Sequence, residues 1–329
     1  MVTKLKIAVV CFAAAIAIPL ILFTLHIIKT EATAPKTQAV AGAALSKEIA
    51  ESANSRFYCD NIDESLLVPT NKIEKENSLA PNAVPVAGIV SHHILAHTQI
   101  DGWFAELAAH RKDISTFLVL SPSHWDLSTG FFSVTFGSWV VSGGGTGTAD
   151  GGAPQLVATD FEIENKLKEA LDATIDDTAF ASEHGVSALA PYIKKYFPNA
   201  KIAAVIYSGE PPVNQPLAEK LCSAVSGCTG SASPENDGVF LLVSSDFSHH
   251  QNLETTKARD ARSRLFLEKP SEQPWILAVC DNRPAMYTLQ KLLPESTRTT
   301  ILCNTNSYEL CNEGADDITS YFFCFFSKR

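Results

Sequence analysis

The chain has 329 residues, of which 46% are hydrophobic and 19% charged, and its formal net charge at pH 7 is −10. This length and hydrophobic content are sufficient for a full hydrophobic core. The excess of acidic side chains does not suit binding to nucleic acid or to an anionic lipid surface. We therefore expect a small molecule as the partner, while the oligomeric state does not follow from the sequence.

The first predicted element is a transmembrane helix. Ile7–Ile28 contains no acidic residue, lysine or arginine, and it follows Lys4 and Lys6. At 1.5 Å per residue, a helix of this length crosses the roughly 30 Å hydrocarbon core of a bilayer. The basic residues before it orient the amino terminus towards the cytoplasm. We expect a membrane-anchored protein with its domain on the extracytoplasmic side, or a secreted protein if the segment is cleaved.

The composition divides the chain into three parts. Residues 1–28 are the predicted membrane anchor or signal. Residues 29–80 are rich in Ala, Thr, Ser, Asn and Lys, which is typical of a stalk or linker. Residues 81–329 alternate between short apolar runs and longer amphipathic stretches, and we expect them to form one domain.

The pattern of residues 81–329 predicts an α/β fold. The predicted strands are Val84–Val90, Thr116–Leu120, Lys201–Tyr207, Val239–Ser245, Thr299–Cys303 and Tyr321–Phe326. The predicted helices are Ala96–His110, Phe161–Leu171, Val186–Tyr196, Pro216–Ala224, Leu253–Leu267 and Pro284–Leu293. Strands that alternate with helices indicate a mainly parallel central sheet, flanked by helices on both faces.

Three of these strands lead directly into histidines. His92 and His93 follow the first strand, His124 follows the second, and His249 follows the fourth. Ligands of open α/β sheets bind beyond the carboxyl ends of the strands, so these imidazoles are expected at one edge. Because histidine is the commonest metal ligand and a frequent acid or base, the sequence predicts a metal or proton-transfer site there.

Other side chains join this candidate site. Asp246 lies three residues before His249, where it could orient a histidine, act as a base, bind a metal or cap a helix. Glu183 and His184 lie at the start of a predicted helix; the helix dipole alone explains the carboxylate, whereas the histidine is suited to act as a neutral hydrogen-bond donor or as an acid. Cys280 is a candidate thiolate ligand, since sulfur joined to imidazole suits copper, zinc or iron.

Several short motifs, in this order, resemble one known family. They are Ser-Pro-Ser-His at 121–124, Glu-His at 183–184 followed by Ala190-Pro191, Ser-Ser-Asp-Phe-Ser-His at 244–249, and Cys280 with Arg283-Pro284. The chain thereby resembles the Memo-like family, also called AmmeMemoRadiSam system protein B, over residues 85–326. That family is similar in fold to the LigB-type class III extradiol dioxygenases.

The resemblance implies roles for particular residues. It places the metal ligands on His92, His124 and Cys280, and it implies iron or copper as the metal, with zinc as a third candidate. It places the catalytic pocket residues on His184, Asp246 and His249. The family's Pro-His-Ala-Gly is Ser-His-His-Ile at 91–94 here, so either His92 or His93 can be the ligand.

These observations lead to three hypotheses about function. The first is a metal-dependent redox or dioxygenase-like protein that acts on an unknown small molecule, with His184 and His249 moving protons. The second is a zinc-dependent hydrolase, in which Asp246 or His249 is the base acting on metal-bound water. The third is a non-catalytic protein that holds a metal or binds a peptide.

Overall fold

The computed structural model describes residues 46–59, 75–125, 127–142, 155–209, 213–229, 238–312 and 314–328. The chain divides into two units, Met1–Lys47 and Glu48–Arg329, and the fold given below is that of the second unit. The predicted boundaries at residues 28 and 80 stay a prediction.

The described residues alternate between strands and helices through most of the second unit. The strands are β1 (Arg56–Tyr58), β2 (Val84–Val90), β3 (Thr116–Pro122), β4 (Ser133–Val134), β5 (Ser138–Ser142), β6 (Gln155–Val157), β7 (Thr174–Ile175), β8 (Lys201–Tyr207), β9 (Val239–Ser244), β10 (Phe247–Gln251), β11 (Arg298–Asn306) and β12 (Ile318–Lys328). The helices are α1 (His97–His110), α2 (Phe161–Leu171), α3 (Asp177–Ser182), α4 (His184–Ser187), α5 (Ala190–Tyr196), α6 (Gln215–Cys228), α7 (Leu253–Glu268), α8 (Arg283–Leu292) and α9 (Ser307–Cys311).

The main sheet of the described residues has the strand order β10-β12-β2-β9-β3-β8-β4-β7, and β11 pairs with β12 beside this path. Strands β2, β9, β3 and β8 are parallel to one another. In this register Val90 lies opposite Ser244 and Leu120 lies opposite Val243, so β2, β3 and β9 end at nearly the same level of the sheet. The carboxyl ends of β2, β3 and β9 therefore share one edge.

The protein is α/β, but the prediction of a mainly parallel sheet needs correction, because the sheet is mixed. Strand β12 runs antiparallel to β2, β10 and β11, and β4 runs antiparallel to β8. Only the short helix α9 and a few further residues connect β11 to β12. A parallel crossover needs about a dozen or more residues, so this connection favours an antiparallel pair.

Helices cover both faces of the sheet because its central strands are apolar on both sides. Along β3, Phe117 and Val119 belong to one hydrophobic cluster, whereas Leu118 and Leu120 belong to the other. Successive side chains of a strand point to opposite faces, so the two clusters lie on opposite sides of the sheet. Helices α1 and α5 contribute to the first cluster, and α2, α6 and α8 contribute to the second.

A smaller sheet of β1, β5 and β6 borders the first cluster. Phe57 from β1 and Trp139 from β5 pack with their ring centroids 5.6 Å apart, and both rings contact Phe180 of α3. Arg56–Tyr58 is therefore paired with β5 in this sheet.

The predicted membrane anchor is the second correction. No helix within the described residues is both long enough and apolar enough to cross a bilayer. The longest described helix, α7, has 16 residues and many charged side chains. The segment Ile7–Ile28 lies outside the described residues. The described residues therefore do not support the predicted transmembrane helix, nor the membrane partner and the extracytoplasmic location that followed from it.

One predicted helix is divided in the structure. The sequence predicts a continuous helix over Val186–Tyr196, but the chain forms α4 and then α5. Pro191 lies in the first turn of α5, where its missing N–H is tolerated. Glu183 caps the start of α4, and His184 is the first residue of that helix.

Candidate metal centre

The histidines that follow separate strands come together at the carboxyl edge of the sheet. The ring centroids of His92 and His124 are 4.7 Å apart. The ring of His184 lies 4.2 Å from that of His124 and 5.1 Å from that of His92. His92 Nε2 is also 3.7 Å from Asp246 Oδ2. The structure thus brings together four of the six residues predicted for the site, from three strand ends and the start of α4.

The centre of the cluster is a carboxylate that sequence reasoning missed. Asp281 Oδ2 lies 3.4 Å from His92 Nε2, 3.6 Å from His124 Nε2 and 3.7 Å from His249 Nε2. Asp281 itself is buried, with 4% of its surface exposed. One oxygen therefore faces three imidazole nitrogens at nearly equal distances, which also places the fifth predicted residue, His249, at this site.

The backbone and its neighbours fix the position of Asp281. Its Oδ1 accepts hydrogen bonds from Ser245 Oγ at 2.9 Å and from the backbone N–H of Asp246 at 3.0 Å. Gly209 lies so close to the Asp281 carbonyl that a Cβ at position 209 would collide with it. The next residue, Asn282, donates from Nδ2 to the carbonyls of Leu120 and Ser244. The ends of β3 and β9 are thereby tied to the segment that carries Asp281.

The structure does not place Cys280, the sixth predicted residue, with these side chains. Cys280 forms an antiparallel bridge with Phe247, so the chain is extended there and adjacent side chains point in opposite directions. Cys280 packs in the hydrophobic cluster of α8, while Asp281 faces the histidines. Burial, aided by the negative charge of Asp281, raises the pKa of the Cys280 thiol to about 12.

Hydrogen bonds fix the tautomer of His92. Ser244 Oγ donates to the carbonyl of Gly185 at 2.6 Å, and its single hydrogen is used in that bond. His92 Nδ1 lies 2.8 Å from the same Oγ, so at this contact Nδ1 must donate and the hydroxyl must accept. Neutral His92 therefore carries its proton on Nδ1. Its Nε2 lone pair points towards Asp281.

His124 is oriented in the same way by Glu183. Its Nδ1 lies 2.6 Å from Glu183 Oε1, and the ionised carboxylate can only accept, so Nδ1 donates. Glu183 also accepts from the backbone N–H groups of His124 and Gly185. Burial opposes ionisation of Glu183, but the hydrogen bond and charge of His124 lower the pKa of Glu183. Such a partner for the distal nitrogen is typical of histidines that bind metals.

The electrostatics of the cluster favour positive charge between the imidazoles and Asp281. Burial works against the charged form of His124, but Asp281 and Glu183 outweigh it and raise the pKa of His124 to about 10. Asp246 and Asp281 likewise overcome burial and raise the pKa of His92. Burial alone would raise the pKa of Asp281, yet His124 and His92 hold it well below its usual range. A positive charge, from a proton or from a metal ion, therefore stabilises the site where the imidazoles face Asp281.

The donor atoms fit a metal ion. The Nε2 atoms of His124 and His249 are buried and have no hydrogen-bond partner, and their distances to Asp281 exceed the hydrogen-bond range. Ligands at about 2.1 Å from one tetrahedral ion lie about 3.4 Å apart, close to the separations seen here. Within the described residues, two groups have ligand atoms that all lie within 4.8 Å of one another. They are His92, His124 and His184, and His92, Asp246 and Asp281.

Two further histidines line the site with different properties. Burial and the charges of His92 and His124 lower the pKa of His184 to about 4, so His184 is neutral at pH 7. His249 lies between Ser248 and His250, whose φ angles of 37° and 53° are unusual for residues other than glycine. Strain of this kind clusters at functional sites, where the surrounding structure holds it.

The neighbouring His93 faces a different partner. Its Nδ1 lies 2.5 Å from Tyr321 Oη, and His93 belongs to neither group of candidate ligands in the described residues. Of the two consecutive histidines that the sequence left open, His92 is the one in the cluster.

A cavity of about 200 Å³ opens beside the cluster. His124, His249 and Asp281 line one side, and the segments that follow β3 and β8 line the other. The cavity has room for several water molecules or for the head of a small substrate. A ligand there would contact the unpartnered nitrogens directly.

Comparisons with known proteins point to a distant similarity. No protein-family model matches the chain. A MEMO1 family protein of Caldivirga maquilingensis is 25% identical over 181 residues, which are 54% of this chain and 56% of that protein. The chain thus spans about half the length of this relative. The similarity is distant and supports a Memo-like family, and buried His and Asp groups that could bind a metal accompany it.

Proposed function

We propose that this protein is a metal-dependent redox enzyme that acts on a small molecule, and that it is related to AmmeMemoRadiSam system protein B and to the LigB-type extradiol dioxygenases. The observation that carries the proposal is the approach of two oriented imidazoles to one carboxylate. His92 and His124 both hold their protons on Nδ1, and both direct Nε2 towards Asp281 Oδ2.

The proposed ligands are His92, His124 and Asp281. Two histidines and one carboxylate, with other positions left open, are the usual ligands of non-haem Fe(II) in oxygenases. This arrangement favours iron over copper, because the thiol of Cys280 lies in the hydrophobic core and a carboxylate is in its place. We therefore propose Asp281, instead of Cys280, as the third ligand.

A bound iron would supply a redox centre with open positions for oxygen and substrate. The surrounding side chains would position the substrate and move its protons. His184 is neutral at pH 7, so its imidazole accepts a proton or a hydrogen bond from a substrate hydroxyl. His249 presents an unpartnered Nε2 to the same cavity, opposite Asp281. Asp246 is held by Ser91 Oγ at 2.6 Å and stays fixed beside His92.

The proposal is tested by loading the protein with Fe(II) or Cu(II) under anaerobic conditions and then measuring oxygen uptake with catechols and other phenols. We expect turnover with iron, and a loss of about 10²–10⁴-fold in kcat for His249→Gln if it transfers a proton. His250→Gln is the matched control, because His250 is the adjacent histidine and its side chain is 79% exposed. Absence of turnover with either metal contradicts the proposal.

A second candidate function is zinc-dependent hydrolysis. The group of His92, His124 and His184 has the three-histidine composition of a catalytic zinc site. Asp246 lies beside His92 and could act as the base. Elemental analysis of the purified protein separates the two candidates: retained zinc with esterase or amidase activity favours hydrolysis, and retained iron favours the redox enzyme.

A further inference from the structure

An apolar pocket lies next to the candidate metal centre. Its volume is about 260 Å³, and its apolar lining residues are Phe131, Phe132, Tyr207, Leu217, Ala218 and Pro284. None of these lining side chains carries a charge. An uncharged, apolar group is therefore the part of a ligand that suits this space.

The pocket and the metal-side cavity adjoin each other. Ser123 and Ser208 line both of them. Ser123 follows β3 directly before His124, and Ser208 follows β8 directly before Gly209, which lies against the Asp281 carbonyl. A molecule bound at His124 and Asp281 can thus extend past these serines into the apolar pocket.

One wall of the apolar pocket is hydrogen-bonded to the segment that carries Asp281. Tyr207 Oη donates a hydrogen bond of 2.8 Å to Asn282 Oδ1, and the ring packs against Phe132 with centroids 6.0 Å apart. Asn282 is the residue after Asp281 and also binds the ends of β3 and β9. The pocket is therefore held in a fixed position relative to the carboxylate.

The rim of the pocket includes an exposed aromatic side chain. Phe131 is 72% exposed, which leaves most of its ring in water. A ligand that entered the pocket would cover part of that ring and gain from the removal of apolar surface from water.

We propose that the substrate has two parts: a polar head that reaches the His124–Asp281 centre and an uncharged apolar group that fills this pocket. A cavity of about 150 Å³ accommodates benzene, so the pocket has room for a ring with a short substituent or for a short alkyl chain. The polar head rests on the proposed function, because it is expected to bind at the metal centre. The apolar group rests on the pocket alone.

The test compares three probes by isothermal titration calorimetry on the Fe(II)-loaded protein under anaerobic conditions. Catechol provides the head alone, 4-butylcatechol adds an apolar tail, and 4-butylphenol keeps the tail on a head that cannot chelate. Each fully buried methylene is worth about fourfold in affinity, so we expect 4-butylcatechol to bind at least about tenfold more tightly than catechol.

Two variants locate the binding of the tail. Phe131→Ala removes one wall at an exposed position, and we expect the affinity ratio of 4-butylcatechol to catechol to fall to about threefold or less. Leu127→Ala is its control, since Leu127 is an exposed apolar residue of the same loop that does not line the pocket.

Ala218→Trp fills the pocket and should bring the ratio of the two affinities near one. Ser223→Trp is its control, because it adds the same side chain on the exposed side of α6.

The outcomes separate the inference from the proposed function. If catechol binds and the butyl tail gives no gain, or if the gain survives both Phe131→Ala and Ala218→Trp, the apolar subsite is wrong. If 4-butylphenol binds with the same dependence on Phe131 while catechol does not bind, the subsite is supported and the metal-dependent function fails.

Discussion

Two buried aspartates in different regions of the molecule have opposite electrostatics. Asp260 of α7 accepts hydrogen bonds from Ser320 Oγ at 2.5 Å and from Asn304 Nδ2 at 3.2 Å. Burial nevertheless raises the pKa of Asp260 to about 6. Asp281 is at least as deeply buried, yet the imidazoles of His124 and His92 hold its pKa well below the usual range.

The difference lies in what the partners can supply. A hydroxyl and an amide satisfy the oxygens of Asp260 without bringing charge, and the nearby charge of Arg264 does not outweigh burial, so the protonated form of Asp260 is favoured. Around Asp281, three imidazole nitrogens converge on one oxygen at 3.4, 3.6 and 3.7 Å, which is longer than the usual N–H···O distance of about 2.9–3.0 Å. Asp260 is a structural carboxylate that tolerates neutralisation, whereas Asp281 is placed where a cation belongs.

The largest expected effect is loss of metal from Asp281→Asn. The amide keeps the size of the side chain and can accept from Ser245, but it removes the charge that faces the three histidines. We expect the variant to retain less than about a tenth of an equivalent of iron after loading and dialysis, measured by elemental analysis. Cys280→Ser is the matched control at the adjacent residue and should retain the metal. The reverse result would restore Cys280 as the ligand.

The next effect concerns the residues that orient the histidines. Glu183→Gln weakens the partner of His124 Nδ1, and Ser244→Ala removes the partner of His92 Nδ1. Loss of such outer partners typically weakens metal binding by about 10–100-fold, which a competition titration with a chelator measures. Glu106→Gln is a control at a carboxylate paired with Lys75 outside the site. Unchanged affinity in both site variants would show that the histidines need no orientation.

The residues at the ends of the parallel strands were predictable from the sequence. His92, His124 and Asp246 follow apolar runs that form β2, β3 and β9, and parallel strands end at the same edge. The apolar runs Val84–Val90 and Lys201–Tyr207 also agree with the strands observed. These strands could be recognised from a few consecutive residues, because a strand that is buried on both faces is apolar along its whole length.

Other features required three-dimensional information. Asp281 was missed because the adjacent Cys280 matches the family motif. In an extended chain, neighbouring side chains point in opposite directions, so only one of these two residues can face the site. The signal was present: Cys280 follows an apolar run, so its extended neighbour points the other way. The antiparallel direction of β12 was also recoverable from the short connection after β11, which the alternation of strands and helices obscured.

The third prediction uses pH to separate the two aspartates. Asp260 has a folded pKa of about 6, above its ordinary value of 3.8, so its contribution to stability is full below about pH 3.8 and is lost as the pH rises through 6. The amide of Asp260→Asn does not titrate. We expect the free energy of unfolding of this variant, relative to wild type, to rise by about 1–3 kcal/mol between pH 4 and pH 8 in urea denaturation.

Asp316→Asn, at an exposed carboxylate, is the control for this experiment. Parallel pH curves for Asp260→Asn and wild type would contradict the assignment of Asp260. For Asp281 the sign is opposite, because its lowered pKa contributes stability above the ordinary pKa that is lost on acidification.

The smallest expected effect tests the strained backbone beside His249. Ser248 has φ of 37°, and its buried hydroxyl has no hydrogen-bond partner in the structure. Ser248→Ala removes only the hydroxyl, whereas Ser248→Gly also relieves the left-handed conformation, which costs other residues about 1–2 kcal/mol. After the greater entropy of glycine in the unfolded chain is included, we expect Ser248→Gly to be about 0.5–1 kcal/mol more stable than Ser248→Ala in urea denaturation. Equal stabilities would mean that the turn at His249 stores no strain, and its conformation would then need no functional explanation.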